Sequence, residues 1–253
     1  MDRVPTRGVP PVADAFNGNQ LLSTLDAQTR DHLGEHVEIV MLQDGDIVLT
    51  PGDNVVRSVF PFGRTTVSLV VDVDDRRSVE VASIGREGAV GGIVSCGDVP
   101  AFSRAEVIVG GPAAIVPMAI LEDIKGRSGH VKNLFCRFAD YLLAQIMQSA
   151  ACNSFHPIEA RTARWLLIAD DRAGPKLELT QEALARLLGA QRTTINAVIG
   201  QLERDGLIEV RRGAVSVHDR AGLEGRACLC YDRVEKFFGA VIGKDGRGDF
   251  RNR

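Results

Sequence analysis

The stretch TQEALARLLGAQRTTINAVIGQLERDGLI, residues 180–208, decides how the rest of the chain is interpreted. Thr180 is a typical N-cap residue, because its hydroxyl can accept from the free amides of a first helical turn. Gly189 ends this first short helix, since glycine reaches left-handed backbone angles without steric penalty. Two short helices joined by a tight glycine turn are typical of the helix-turn-helix motif. Their apolar residues recur at helical spacing: Leu184, Leu187 and Leu188, then Ile195, Val198, Ile199 and Leu202.

The outer face of the second helix carries the groups that can read DNA. At about 100° per residue, Arg192, Thr193, Asn196 and Ala197 lie away from or beside the apolar stripe. Arginine matches the paired acceptors of guanine and asparagine matches adenine in the major groove. The alternative is an ordinary solvated surface on a helical hairpin.

A basic hairpin follows the two helices. Two short apolar segments, Leu207–Val210 and Ala214–Val217, flank Arg211-Arg212-Gly213, and a glycine-containing connection between such segments favours a β-hairpin. This hairpin is interpreted as the wing of a winged helix-turn-helix, whose arginines can reach phosphate. Helix, turn, helix and basic wing in this order make DNA binding the leading hypothesis.

Composition and charge limit the remaining possibilities. The chain has 253 residues, of which 45% are hydrophobic and 25% charged, and this usage predicts roughly two globular domains. We expect a cytoplasmic protein without a membrane partner, because no apolar run approaches the ~18 residues of a membrane span. The formal net charge is -3, but residues 154–253 contain 17 Lys+Arg against 14 Asp+Glu. DNA binding is therefore expected only in the C-terminal part.

The cysteines give no sequence signal for a metal centre. A four-thiolate zinc or iron–sulfur site normally has clustered spacing, which the five cysteines do not show. We expect no metal and no cofactor, and buried or incidental thiols instead. The cysteines are Cys96, Cys136, Cys152, Cys228 and Cys230.

The N-terminal half is expected to form a β-barrel behind a flexible lead. Residues 1–19 show little periodicity and are interpreted as the lead, and 20–127 as a sensor barrel. Short apolar segments separated by turn residues are typical of a sandwich or barrel. The segments are Val37–Leu42, Ile47–Thr50, Thr66–Val73, Val79–Ile84, Ala105–Val109 and Ala113–Val116.

Helices are expected on both sides of the DNA-binding segment. Residues 128–153 predict one long helix, 154–222 the winged helix-turn-helix domain, and 223–253 a further helix packed on that domain with a polar tail. The long helix has a broad apolar face, of which one flank can pack on its own barrel and the other on a partner chain. The alternative is a helix that packs only within one chain. The proposed dimer contacts are Val131, Phe135, Phe138, Leu142 and Ile146.

The order of barrel, long helix and winged helix-turn-helix resembles the Crp/Fnr family of bacterial transcription regulators. The resemblance covers about residues 20–222 and rests on LTQEALARLLGAQRTTINAVIGQLERDGLIEVRRGAV and the barrel phrase SVEVASIGREGAVGG. It implies an α+β fold with a jelly-roll barrel of the cyclic-nucleotide-binding type. It also implies a homodimer on palindromic double-stranded DNA, a small-molecule effector of unknown identity, and RNA polymerase as a partner.

The same resemblance assigns the DNA contacts. Arg192 takes the position of a guanine-reading arginine, whereas Thr193 stands where many members carry glutamate, so the preferred operator should differ from theirs. Asn196 and Ala197 take the next positions that face the groove. Contacts to phosphate, which position the protein without specifying sequence, are expected from Thr180, Gln191, Arg211 and Arg212.

The candidate effector pocket departs from the family pattern. Gly92 and Arg104 are the candidate pocket residues, and Arg104 matches the phosphate-binding arginine of the family, but Ile93 stands where a ribose-binding carboxylate is expected and Ala105 where a hydroxyl is expected. A buried arginine without an anion is costly, so Arg104 is expected to be exposed or paired with Glu106. We therefore do not expect cyclic AMP to bind in the usual way.

Two other classes of function compete with a DNA-binding regulator. A cupin-type enzyme needs clustered histidine and glutamate ligands, but the segment from Val37 to His130 contains no histidine between these residues. We therefore expect no enzymatic activity. A cyclic-nucleotide-binding-like module that regulates a partner protein is the alternative, but it leaves the groove-compatible helix face and the basic wing unexplained.

Overall fold

The N-terminal residues form three short helices on the barrel. The computed structural model describes residues 8–74, 77–92, 99–211 and 213–242. Phe16 is buried against the barrel core, and Asn19 donates to the carbonyl oxygens of Pro61 (2.8 Å) and Gly88 (2.7 Å). The prediction of a flexible lead over 1–19 is therefore wrong for its described part. The helices are α1 (Val12–Gly18), α2 (Gln20–Ser23) and α3 (Ala27–Gly34).

A barrel of two antiparallel sheets follows, as the sequence predicts. The first sheet has the order β1-β7-β3 and the second β2-β6-β4-β5. The β3 strand was not predicted, because it starts with an arginine and ends with a proline, which an edge strand tolerates. The strands are β1 (Glu38–Leu42), β2 (Ile47–Leu49), β3 (Arg57–Pro61), β4 (Thr66–Asp72), β5 (Ser78–Ile84), β6 (Arg104–Val109) and β7 (Gly111–Pro117).

Two helices connect the barrel to the C-terminal part. The α4 helix (Met118–Arg127) was assigned to the barrel by sequence and is a separate element. The long helix α5 (Gly129–Phe155) begins at Ser128, whose hydroxyl accepts from the amide of Val131 at 3.3 Å. None of the helices within the described residues combines the length and apolarity needed to cross a lipid bilayer.

The apolar stripe of α5 serves its own barrel rather than a partner chain. Val131, Phe135 and Phe138 are at most 2% exposed and belong to the barrel core. Phe138 fills the space beside Gly88, where a Cβ would lie 2.2 Å from the ring. The predicted dimer contacts of these three residues are therefore wrong, because periodicity identifies a buried stripe but not what buries it.

The C-terminal domain is a winged helix-turn-helix. Its core joins α6 to both helices of the motif and to the wing, and β8-β10-β9 form a three-stranded antiparallel sheet. The elements are α6 (Ile158–Ala173), β8 (Lys176–Leu177), α7 (Gln181–Leu187), α8 (Arg192–Arg204), β9 (Ile208–Arg211) and β10 (Ala214–Val217).

The C-terminal segment was predicted as one helix on the DNA-binding domain, but it forms two helices, of which only the first packs mainly on that domain, against α6. The helices are α9 (Arg220–Arg226) and α10 (Cys230–Val241). The α10 helix packs mainly on α5, with Phe238 against Tyr141 at 4.7 Å between ring centroids. Its buried stripe joins the barrel core because an amphipathic pattern does not specify its partner. Residues 243–253 of the expected tail lie outside the described residues.

Candidate nucleic-acid interface

The helix-turn-helix is held together by the interactions that its sequence predicts. The hydroxyl of Thr180 caps α7 by accepting from the amide of Ala183 at 3.1 Å. Gly189 has φ 61° and forms the turn, where other residues are disfavoured. Ile195 is fully buried on the inner face of α8, and Val198, Ile199 and Leu202 are at most 5% exposed. One face of α8 is therefore buried in the domain core, and the opposite face is exposed to solvent.

The predicted base-reading residues form one exposed surface at the start of α8. Arg192, Thr193, Asn196 and Ala197 are all solvent-exposed. The Arg192 side chain is 65% exposed and lies 3.7 Å from the carboxylate of Glu182, which is 78% exposed. Such an exposed pair is weak, so the guanidinium can leave Glu182 for a base edge at little cost.

The wing places further cations beside this helix. Arg211 is exposed and donates to Glu209 at 2.8 Å, and Gly213 has φ 82° in the hairpin turn. Arg212, the other predicted wing contact, lies outside the described residues. Lys176, on the neighbouring strand β8, is an exposed cation that sequence analysis missed, because nothing local shows that β8 pairs with β10. Gln191 is exposed at the N-cap position of α8.

The DNA-binding domain packs directly on the outer face of the second barrel sheet. Val70, Ile108 and Val109 of that sheet are buried in the core of the DNA-binding domain. Trp165 on α6 donates from its indole nitrogen to Glu80 on β5 at 3.0 Å. The interface between the barrel and the DNA-binding domain is therefore mainly apolar and contains this one side-chain hydrogen bond among its polar contacts.

A buried ion pair lies in this contact, near the C-terminal end of α6. Arg172 is 8% exposed and Glu87 is 7% exposed, and the guanidinium donates to the carboxylate at 2.8 Å. Burial alone would lower the pKa of Arg172, but the Glu87 carboxylate reverses this effect, so the guanidinium stays charged. Burial also raises the pKa of the Glu80 carboxyl, against the effects of Ser68 and nearby arginines.

Arg104, one of the two candidate effector residues, does not point into the barrel. Ala105 and Val107 point into the barrel core, so Arg104 and Glu106, which alternate with them, point outward from the same strand. The Arg104 guanidinium lies 3.2 Å from the carboxylate of Asp72 and 3.6 Å from that of Glu106. The expected pairing with Glu106 is therefore confirmed, and Arg104 does not line the barrel interior.

Gly92 does not open a ligand cavity either. A Cβ at this position would lie 1.7 Å from Cε of Met118, so the methionine already fills the space in front of the backbone. Ile93 lies outside the described residues. A small cavity of about 60 Å³ lies elsewhere, between α5, α6 and α10, and is lined by Tyr141, Arg172 and Tyr231 among others. It has room for a few water molecules.

Three cysteines from two distant parts of the sequence lie close together in the structure. Cys152 at the end of α5 lies with Cys228 and Cys230, and His156 completes a group of four. The sequence predicted buried or incidental thiols at these positions. Its cysteine spacing gives no indication that the α9–α10 connection lies against the end of α5. Cys136 is exposed elsewhere on α5, and Cys96 lies outside the described residues.

Sequence comparison identifies the C-terminal domain. The family described as the Crp-like helix-turn-helix domain matches residues 160–226. The HTH-type transcriptional regulator Cmr of Mycobacterium tuberculosis is 41% identical over 71 residues, which is 28% of this chain and 28% of that protein. The matched part thus spans little more than a quarter of the curated relative.

Solved structures extend the likeness from this domain to the fold. A Crp/Fnr-family regulator from Eubacterium rectale has a TM-score of 0.62 at 16% identity, covering 81% of this chain and 96% of its own. FixK2 of Bradyrhizobium japonicum has a TM-score of 0.65 at 15% identity, covering 76% and 98%. The chain therefore carries a Crp-like helix-turn-helix domain and shares the overall fold of these two solved structures.

Proposed function

We propose that the chain is a homodimeric transcription regulator that binds a palindromic DNA operator through α8. The observation that carries this proposal is the exposed surface formed by Arg192, Thr193, Asn196 and Ala197. Its side chains are small or carry hydrogen-bonding groups, and the opposite face of the helix is buried. A helix of this kind enters the major groove with its N-terminal residues at the base edges.

The surroundings of α8 support a phosphate-binding role for the flanking groups. Thr180 and Gln191 are exposed at the starts of α7 and α8, and Arg211 and Lys176 are exposed on the wing sheet. The present partners of the two cations, Glu209 for Arg211 and Glu178 for Lys176, are also exposed, so the exchange of these carboxylates for phosphate costs little. Arg212 belongs to the same proposal by its position in the wing sequence.

The dimer contact is assigned to a different face of α5 from the one that the sequence predicted. Leu143 and Met147 are 53% and 58% exposed, and Cys136 and Ala150 are exposed on the same helix. Their spacings of seven, four and three residues place them along one stripe, as in a coiled-coil seam. Leu142 and Ile146 are half-buried beside it and can contribute at its edge.

A two-fold contact along this stripe would present two copies of α8. Each copy would read one half-site, and half-sites about one helical turn apart match a symmetric pair of recognition helices. The barrel would influence their placement through its contact with the DNA-binding domain. An unidentified small-molecule effector and RNA polymerase are the partners that the resemblance to Crp/Fnr regulators suggests. The outward, paired Arg104 supports our expectation that cyclic AMP is not bound in the usual way.

The test begins with the selection of fragments of genomic DNA by the effector-free chain. The footprint of the chain on the selected DNA and the mass of the complex are then measured. We expect two protected segments about one helical turn apart on one face of the duplex and two chains per site. A complex with one chain, or a single protected segment, would overturn the dimeric proposal. Failure to protect any DNA would favour the alternative of a module that regulates a partner protein.

A further inference from the structure

Four metal-binding side chains converge where α5 ends and the C-terminal helices begin. Cys152 and His156 are one helical turn apart at the end of α5, Cys228 lies in the connection between α9 and α10, and Cys230 is the first residue of α10. All four ligand atoms lie within 4.8 Å of one another. The Sγ atoms of Cys152 and Cys228 are 3.5 Å apart, and Sγ of Cys230 lies 3.4 Å from Nδ1 of His156.

These separations match the coordination sphere of a single ion. Zinc binds sulfur at about 2.3 Å and nitrogen at about 2.0–2.1 Å in tetrahedral geometry, which places neighbouring ligand atoms roughly 3.5–3.8 Å apart. The sulfurs of Cys152 and Cys228 are too far apart for a disulfide, whose bond length is about 2.05 Å. Both are free thiols. Three sulfurs and one imidazole favour zinc over the hard cations magnesium and calcium.

The surroundings have the character of a closed structural site. Cys152, Cys228 and Cys230 are 0%, 8% and 1% exposed. The side-chain amide of Gln148 donates to Sγ of Cys230 at 3.0 Å, which is the kind of outer contact that orients a metal ligand. Four protein ligands would fill a tetrahedral zinc ion and leave no position for a substrate.

A buried cation beside the cluster matches its expected charge. Three thiolates and one Zn²⁺ ion carry a net charge of -1 in total. Arg164 is 9% exposed and lies close enough to act electrostatically on Cys152 and Cys228. Its Nε atom has no hydrogen-bond partner among the described residues. Arg164 also acts electrostatically on the carboxylate of Glu80, and a negatively charged metal centre would give this buried guanidinium a second counter-charge.

We propose that Cys152, His156, Cys228 and Cys230 together bind one Zn²⁺ ion. The site would fasten the α9–α10 connection to the end of α5. His156 ends α5 and lies two residues before the first residue of α6, so the ion would sit at the junction between the long helix and the DNA-binding domain. Its role is to fix the C-terminal helices and this junction in one arrangement. The proposal stands independently of DNA binding.

Cobalt titration of the metal-free, reduced full-length chain tests the site. Co²⁺ is a spectroscopic substitute for zinc, and tetrahedral thiolate coordination produces strong sulfur-to-cobalt charge-transfer absorption with visible d–d bands. We expect saturation at one equivalent and loss of the bands when zinc is added. Cys228→Ser should abolish the stoichiometric spectrum, and the control His130→Gln, at an exposed histidine on α5, should leave it unchanged.

His156→Gln provides a second variant that retains all three sulfurs. We expect it to remain folded by circular dichroism, to bind cobalt at least tenfold more weakly, and to show altered d–d bands. Zinc should raise the melting temperatures of the wild-type chain and of His130→Gln more than that of His156→Gln. Absence of tetrahedral bands in the wild-type chain, or an unchanged spectrum and affinity in His156→Gln, would overturn the four-ligand site.

Discussion

The guanidinium of Arg186 on α7 donates two hydrogen bonds to the carboxylate of Glu106 on β6, at 2.7 and 2.5 Å. Glu106 also meets Arg104, the arginine that family resemblance assigned to an effector pocket, at 3.6 Å. The pair joins the first helix of the DNA-reading motif to the outer sheet of the barrel. A barrel strand and the helix-turn-helix are thus connected by one bidentate ion pair.

Removal of the Glu106 charge should loosen α7 from the barrel. Glu106 is only 12% exposed in its side chain, so Glu106→Gln should cost about 1–3 kcal/mol through weakened hydrogen bonds and a poorly paired guanidinium. Hydrogen exchange of the α7 amides should accelerate in this variant. The matched control Glu38→Gln, at an exposed position of β1, should leave it unchanged. Equal α7 protection in both variants would contradict the coupling role of the pair.

Phe138 should contribute to the folding of one chain rather than to the dimer. It is fully buried and packs on Gly88, so Phe138→Ala should lower the free energy of unfolding by about 3–5 kcal/mol. Urea denaturation of the chain measures this change. Asn133→Ala, at an exposed position on the same helix, should change it by about 0.5 kcal/mol or less. A decrease below about 1 kcal/mol for Phe138→Ala would argue against the place of Phe138 in the core.

The exposed stripe of α5 should control the oligomeric state. The double variant Leu143→Glu/Met147→Glu places four charges in a two-fold contact, and like charges at an apolar seam oppose association. We expect a folded monomer by light scattering, with weakened operator binding because the two recognition helices are no longer linked. Arg233→Glu, on the exposed face of α10, serves as the charge-changing control and should stay dimeric. A dimeric double variant would exclude this stripe as the interface.

The wing should supply affinity without sequence preference. Arg211→Ala removes one exposed cation from each wing, so affinity should fall on all DNA sequences alike. The slope of log K against log salt should decrease by about 1 for each phosphate that the protein no longer neutralises. Fluorescence anisotropy at several salt concentrations measures this slope. An unchanged slope would show that Arg211 does not bind phosphate.

The sequence predicted the local features of the site well and the long-range ones poorly. Thr180, Gly189 and the buried stripe of α8 follow from capping, turn chemistry and periodicity, all of which act within a few residues. The stripe containing Phe138 was recognised, but its partner was not, because burial by the same chain and burial by a second copy give the same pattern. Cys152 and Cys228 are brought together by the packing of α10 on α5, which no local signal predicts.

The most direct test of the central claim compares the DNA sequences selected by the wild-type chain and by Arg192→Ala. If two copies of α8 read one palindrome, the wild-type motif should be symmetric, with half-sites about one helical turn apart. Arg192→Ala should bind its matched operator about 1–3 kcal/mol more weakly and lose preference at one base pair in each half. An unchanged motif and affinity, or a change in only one half, would contradict a symmetric dimer that reads DNA through Arg192.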